Sequence, residues 1–340
     1  FQKIGTLMIN KKFLLAGRPV GRPISDDDFE YQEEEVRDIQ EGEVLLENLV
    51  IEFQPAQKGW MENISNYVAP IEIGDVMRGS GIARVIESKS DKFKKGDIVT
   101  GQTCWQSHPI LNKEEIELIE DESMATLYLG ALGGTGLTAY FGVTKISKPK
   151  PGDTVVITGA AGGVGSIAGQ IFKISGCKVI GIAGGKEKCK ILLEEFGFDS
   201  AIDYKSEDVN ESLKELCPEG INVLYDNVGG RILNDCLAHI AMNARVAICG
   251  IISRHKTDNS NFGPENYANL IFKRAIMQGF IVIDFMSEAD VARKKLKQWI
   301  QEGKINCKED IQEGFENIPN TLKRLFDGKN FGKQLLKIAD

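Results

Sequence analysis

Residues 155–188 read VVITGAAGGVGSIAGQIFKISGCKVIGIAGGKEK. Within them, Gly159, Ala160, Ala161, Gly162, Gly163, Val164 and Gly165 form a turn with no side chain larger than valine. It follows an apolar, β-branched run and opens a helical pattern. Glycines at such a junction let a pyrophosphate approach backbone N–H groups closely, and the helix N-terminus adds partial positive charge. The spacing is G-x-x-G-x-x-G with one extra glycine, not the strict G-x-G-x-x-G. The strand before it and the helix after it therefore carry the assignment, and a plain strand-to-helix turn is the alternative.

The end of the next strand decides which dinucleotide fits. An acidic side chain there would accept hydrogen bonds from free ribose hydroxyls and would repel a 2′-phosphate. Here the chain has Ala183, Gly184 and Gly185, followed by Lys186 and Lys188. A lysine–phosphate pair is charge-assisted, so this loop is expected to take NADPH in preference to NADH. Two lysines that merely keep the helix soluble would look the same, and Glu187 would serve as the missing acid if it turned inward.

No metal is expected. The three histidines (His108, His239 and His255) form no H-x-x-x-H or H-E-x-x-H pair, and the seven cysteines contain no C-x-x-C. Scattered, reduced thiols suit the cytoplasm. The net charge of -8 argues against nucleic-acid or membrane-surface partners, which require excess positive charge. No run of about 18 apolar residues is present to span a bilayer. The chain opens at Phe1 and not at Met, so upstream residues are expected, and residues 1–18 have no long apolar core of the secretory kind.

The elements that must position the glycine turn follow from pattern. Strands are expected at Thr154–Thr158, 178–182, 201–203, 223–226, 245–249 and 277–282, with helical patterns such as 165–175 and 186–196 between them. That alternation predicts an α/β fold with a doubly wound, Rossmann-type parallel sheet. Residues 1–119 read instead as β-rich, with strands at 43–53 and within 80–101 and an acidic patch at 26–35 that reads as a solvated loop and strand edge. Residues 291–303 form an amphipathic helix stopped by Gly303, and 314–320 and 330–338 read as turn and strand pieces. The expected organisation is a substrate domain over residues 1–130, completed by 304–340, and a cofactor domain over 131–303.

Beyond pattern, the segments AAGGVGS (160–166), GCKVIGIAGGKEK (176–188), GLTAYFG (136–142), YDNVGG (225–230), VAICGIIS (246–253), GFENIPN (314–320) and NFGK (330–333) resemble the zinc-independent medium-chain dehydrogenases/reductases. LLAGRPVGRP (14–23) and QPAQKGWM (54–61) extend the likeness over nearly the whole chain. The group they resemble is the prostaglandin reductases or leukotriene hydroxydehydrogenases, together with alkenal double-bond reductases. The resemblance implies a GroES-like β domain beside the Rossmann domain, a homodimer, and NADPH-dependent reduction of a C=C bond conjugated to a carbonyl.

The resemblance also implies roles. Gly162, Gly163, Val164 and Gly165 line the pyrophosphate, Lys188 meets the 2′-phosphate, and Tyr204 sits near the adenosine. Asn227 contacts the cofactor; Cys249, Ser253, Phe280 and Val282 line the nicotinamide side, and Asn330 reaches back from the tail. Hydride delivered to the β-carbon of an enone leaves negative charge on the carbonyl oxygen, which needs a hydrogen-bond donor. Many members carry D-P-Y-M-R where this chain has Gln54-Pro55-Ala56-Gln57-Lys58, and a tyrosine where this chain has Phe272. Tyr267 and Tyr67 are the remaining candidates for that donor, and Trp60, Trp105 and Phe272 are candidates for the substrate pocket. A quinone reductase or a non-catalytic NADPH-binding protein would share every cofactor motif.

Overall fold

Val155, Val156 and Ile157 are inaccessible to solvent, at the centre of strand Thr154–Thr158 (β1). A strand buried on both faces suits a parallel sheet covered by helices. Five more strands complete that sheet: Lys178–Ala183 (β2), Ser200–Asp203 (β3), Ile221–Asp226 (β4), Ile240–Ile248 (β5) and Ile276–Gly279 (β6). Every pairing is parallel, and the spatial order is β3-β2-β1-β4-β5-β6. Helices Gly163–Ile174 (α1), Lys186–Glu194 (α2), Val209–Leu216 (α3) and Gly230–Ala238 (α4) make the crossovers between the first five strands. The computed structural model describes residues 7–63, 67–255 and 263–340, with backbone alone at 254 and 255.

The chain folds as two units. One comprises residues 130–309 and 330–333 and contains the parallel sheet; the other comprises 1–129, 310–329 and 334–340. The second unit is built on an antiparallel seven-stranded sheet. In it the tail strand Lys333–Lys337 pairs with Glu43–Glu52, which in turn pairs with Gly81–Ser88. Its aromatic core holds Phe13, Phe29, Phe53, Trp60, Trp105 and Phe315.

The acidic patch is a loop and strand edge as expected: a 3-10 turn, Asp26–Asp28, leads into strand Phe29–Glu35, and of its acids only Asp28, 1% exposed and ion-paired with Arg22, is buried. Two local readings change. The segment read as turn and strand at 314–320 instead enters helix Ile318–Phe326. Ile318, Leu322 and Leu325 are buried at helical spacing, and Pro319 occupies the first turn, where its missing N–H costs nothing. The last parallel strand stops at Gly279 and does not run on to Val282, which begins a 3-10 turn (Val282–Glu288).

Glycine lets α1 lie close to β2. A Cβ on Gly169 would sit 2.0 Å from the ring of buried Phe198, and one on Gly181 would meet Leu192 at 2.6 Å and Phe198 at 2.8 Å. Overpacking of this kind costs about 1–3 kcal/mol. Gly169→Ala is therefore expected to lower the urea midpoint of unfolding, as followed by far-UV circular dichroism. An unchanged midpoint would mean that Phe198 has free space to move into.

Candidate functional site: the carboxyl-end loops of the parallel sheet

Strand order reverses beside β1, which lies between β2 and β4. At such a switch point the loops leaving the carboxyl ends of adjacent strands diverge and open a crevice. Most of the residues singled out in the sequence lie on these loops.

The glycine turn leaves β1 with Gly159 at φ +59° and enters α1 with Gly162 as N-cap. Gly162 has no side chain to satisfy the first-turn amides, which also lack intrahelical acceptors. A Cβ on Gly165 would sit 2.4 Å from the Gly159 carbonyl oxygen and 2.9 Å from the Ala160 Cα, so only glycine permits this turn. The donor set is therefore a helix N-terminus of backbone amides with no capping side chain of its own, beside Thr135 and Lys333, which fits a diphosphate.

The loop after β4 is fixed from below by a buried network. The Thr158 hydroxyl donates to Asp226 (2.6 Å) and accepts from the Asn227 amide (2.9 Å). The Asn227 side chain donates to the Thr158 carbonyl at 2.8 Å, and the Gly229 amide donates to Asp226 at 2.9 Å. Burial pushes the Asp226 carboxyl up, and these donors act against that shift. Asn227 is thus held at the end of β1. Ser253 donates to the Val228 carbonyl and so ties the loop after β5 to the same place.

Next to it, Tyr225 is fully buried and donates to the Thr138 carbonyl at 3.2 Å. Its hydroxyl also meets the thiol of Cys249, which burial pushes up to about 12. Cys249 is therefore a protonated thiol at neutral pH and not a nucleophile. Phe280 lies edge-on to Tyr225, with ring centroids 6.2 Å apart. Val282 follows it in the turn after β6.

The loop after β2 is shaped by Gly184, Gly185 and Asp203. Tyr204 lies against Gly184, where a Cβ would meet its ring at 2.8 Å. Gly185 adopts φ +105° and caps α2. Asp203, at the end of β3, accepts from the Gly185 amide (2.7 Å), the Lys205 amide (3.0 Å) and the Ser206 hydroxyl (2.8 Å). Desolvation opposes its charge, but these donors hold its carboxyl below the usual range. Sequence reasoning passed over Asp203, although an acid at the end of the third strand was there to be seen. Lys188 is partly buried, and its ammonium lies 5.5 Å from the centre of the Phe331 ring.

Asn330 is 9% exposed and donates to the Gly332 carbonyl, while the Gly332 amide donates to the Ala161 carbonyl in the glycine turn at 2.9 Å. Lys333, also passed over, is 6% exposed and donates to the Thr135 hydroxyl at 3.2 Å.

Other candidates lie elsewhere. Tyr267 and Phe272 are 61% and 65% exposed, on a segment anchored to α4 by Asn266 and Asn269. Tyr67 is half exposed, in the β-rich unit. In that unit Trp60 and Trp105 are buried, and neither indole N–H has an acceptor among the described residues. Arg78 lies over the Trp60 ring, 5.5 Å from its centre. Lys58 is buried in an ion pair with Glu62, so the lysine of QPAQKGWM is consumed within its own short helix. Among the described residues no group of three or more His, Cys, Asp or Glu is arranged to hold a metal ion.

Comparison with known proteins adds a family to this geometry. Residues 11–119 match the family described as the N-terminal domain of oxidoreductase, and residues 163–298 match the zinc-binding dehydrogenase family. The chain is 40% identical to prostaglandin reductase 1 of Bos taurus over 96% of its length and 98% of the relative's. It is 37% identical to the NADPH-dependent curcumin reductase of Escherichia coli over 97% of both chains. The solved structure of CurA from Vibrio vulnificus in complex with NADPH is 35% identical and superposes with a TM-score of 0.92, covering 97% of this chain and 99% of that one. The chain belongs to the zinc-independent medium-chain dehydrogenases/reductases, in the branch of the prostaglandin and alkenal reductases.

The turn that presents α2 makes a separable contribution to stability. Hydrogen bonds to a charged group are worth about 1.5–3 kcal/mol, so Asp203→Ala is expected to lower unfolding stability by that order at neutral pH. Because the folded pKa is depressed, this contribution is complete above the ordinary carboxylate value near 3.9 and is lost as pH falls through the folded value. Urea titrations of both proteins at descending pH should therefore converge. A gap that stayed constant into strong acid would contradict the assignment.

Proposed function

We propose that this protein is an NADPH-dependent reductase of carbon–carbon double bonds conjugated to a carbonyl, acting on 2-alkenals and enones of the prostaglandin and curcumin type. One observation carries the reading: the crevice joins a helix N-terminus without a side-chain cap to a loop with no acid at the end of β2 and with Lys188 close by. Relatives named as an NADPH-dependent curcumin reductase, a prostaglandin reductase and an NADP(+)-dependent 2-alkenal reductase support it. Gly162, Gly163, Val164 and Gly165 would hold the diphosphate, Lys188 the 2′-phosphate and Tyr204 the adenosine end. Asn227, Cys249, Ser253, Phe280, Val282 and Asn330 would line the rest of the dinucleotide.

Bound there, NADPH supplies a hydride for the β-carbon. The chain's remaining task is to orient the enone and donate a hydrogen bond to the carbonyl oxygen as charge builds on it; the enolate then takes a proton at the α-carbon from water. Trp60 and Trp105 suit the apolar pocket, and their buried N–H groups await an acceptor that water or substrate would provide. For the carbonyl oxygen the reading offers two phenols, Tyr267 and Tyr67. The parallel-sheet unit is assigned to the cofactor and the β-rich unit to the substrate. The seven cysteines are all unpaired, which suits the cytoplasm.

Purified protein is expected to oxidise NADPH when given a medium-chain 2-alkenal and to release the saturated aldehyde without added metal. Turnover of quinones alone would overturn the substrate assignment. If Tyr267 or Tyr67 is the donor, replacing it by Phe lowers kcat about 10²–10³-fold with NADPH affinity intact. Full kcat in both variants would exclude both.

A homodimer is proposed through β6. Among the described residues no further strand pairs with its outer edge, and Ile276 and Met277 on it, with Ile271 and Phe272 beside it, are exposed. Light scattering behind size exclusion should give twice the chain mass, and Ile276→Lys should give the monomer. A monomeric wild-type protein would refute this arrangement.

A further inference from the structure

We propose that Phe331 sets the preference for the 2′-phosphorylated coenzyme by holding the Lys188 ammonium in place; this rests on the reading of Lys188 as the phosphate's partner. A lysine on a helix surface samples many rotamers, and ordering it on ligand binding has an entropic cost. A ring face near the ammonium reduces that cost in advance, because the π quadrupole attracts the charge. Phe331 provides such a face, with its centre 5.5 Å from Lys188 Nζ.

The ring can do this because its backbone is fastened on both sides. The Gly332 amide donates to the Ala161 carbonyl at 2.9 Å, and Gly332 pairs with Gly162 as a parallel bridge. The Lys333 amide donates to the Lys308 carbonyl at 2.9 Å, and the Asn330 side chain donates to the Gly332 carbonyl at 2.9 Å. Gly332 sits at φ +73°, and a Cβ there would meet the Lys308 carbonyl oxygen at 2.1 Å. Residues 330–333 therefore form a fixed strap from the glycine turn to the first turns of α2. It links the backbone read as the diphosphate site to the cation read as the phosphate site. NADH has no group for Lys188 to meet, so a defect confined to the ring should spare it.

The test is calorimetric titration of NADPH and NADH into wild type, Phe331→Leu, Phe331→Trp, Lys188→Ala and the Lys188→Ala/Phe331→Leu double variant. Leucine keeps the apolar bulk without the π face, and Phe331→Met serves if the leucine variant fails to fold. Phe331→Leu is expected to weaken NADPH about two- to fivefold, the size of an exposed cation–π contact, and to leave NADH unchanged. Phe331→Trp should restore NADPH binding, and in the Lys188→Ala background Phe331→Leu should have no further effect. Equal weakening of both coenzymes, or a full Phe331 effect without Lys188, would overturn the proposal and leave the strap a purely structural element. If Lys188→Ala leaves the NADPH preference intact, the reading of Lys188 fails as well. If that preference collapses in Lys188→Ala but survives in Phe331→Leu, only the role of Phe331 fails.

Discussion

The close passage of Gly165 beneath the carbonyl of Gly159 is the contact on which the site depends. With a Cβ at residue 165 the turn would have to open, since the atom would fall 2.4 Å from that oxygen. Opening the turn would move the N-terminus of α1 away from the carboxyl end of β1 and dissolve the group of backbone amides that faces the crevice. A helix N-terminus is useful to an anion only while its first-turn amides share one direction. Here that direction is held by a backbone that tolerates no side chain.

Around this turn the chain uses buried carboxyl groups as fasteners. Asp226 is buried beneath Asn227, with Thr158 donating to it and the Gly229 amide closing the loop. Asp203 does similar work one loop away, at the hinge that presents α2. Each carboxylate is occupied by donors from its own loop and from the loop beside it. The acid that would repel a 2′-phosphate is thus absent from the end of β2, and the acid at the end of β3 is engaged elsewhere. Lys188 then brings a cation to this part of the crevice, with Phe331 beside it.

The features legible in the sequence are those whose partners are near in the chain. The glycine turn, the loop at 183–188 and the alternation of strands and helices are local patterns, and the doubly wound parallel sheet follows from them; its 3-2-1-4-5-6 order is visible only in the fold. The helix Ile318–Phe326 was legible too, since Ile318, Leu322 and Leu325 recur at helical spacing behind Pro319; the neighbouring GFENIPN drew the reading toward a turn. Interactions that join distant segments left no local mark. Phe331 meets Lys188, and Lys333 meets Thr135, through pairings that only the folded chain reveals. Asp203 stands in plain view at the end of its strand, but its acceptor role depends on Gly185 adopting a positive φ, and composition does not report that. For Tyr267 and Tyr67 the sequence offered hydroxyl chemistry without position, and both rings are largely exposed.

The central claim is that the amides at the start of α1 bind a diphosphate while Lys188 meets the phosphate on its adenosine ribose. A crystal structure of the protein with NADPH bound tests this most directly. The diphosphate should lie against the backbone of Gly162–Gly165, with the 2′-phosphate within hydrogen-bonding reach of Lys188 Nζ. A coenzyme bound with its diphosphate away from that turn, or with the 2′-phosphate turned from Lys188 into solvent, would contradict the account.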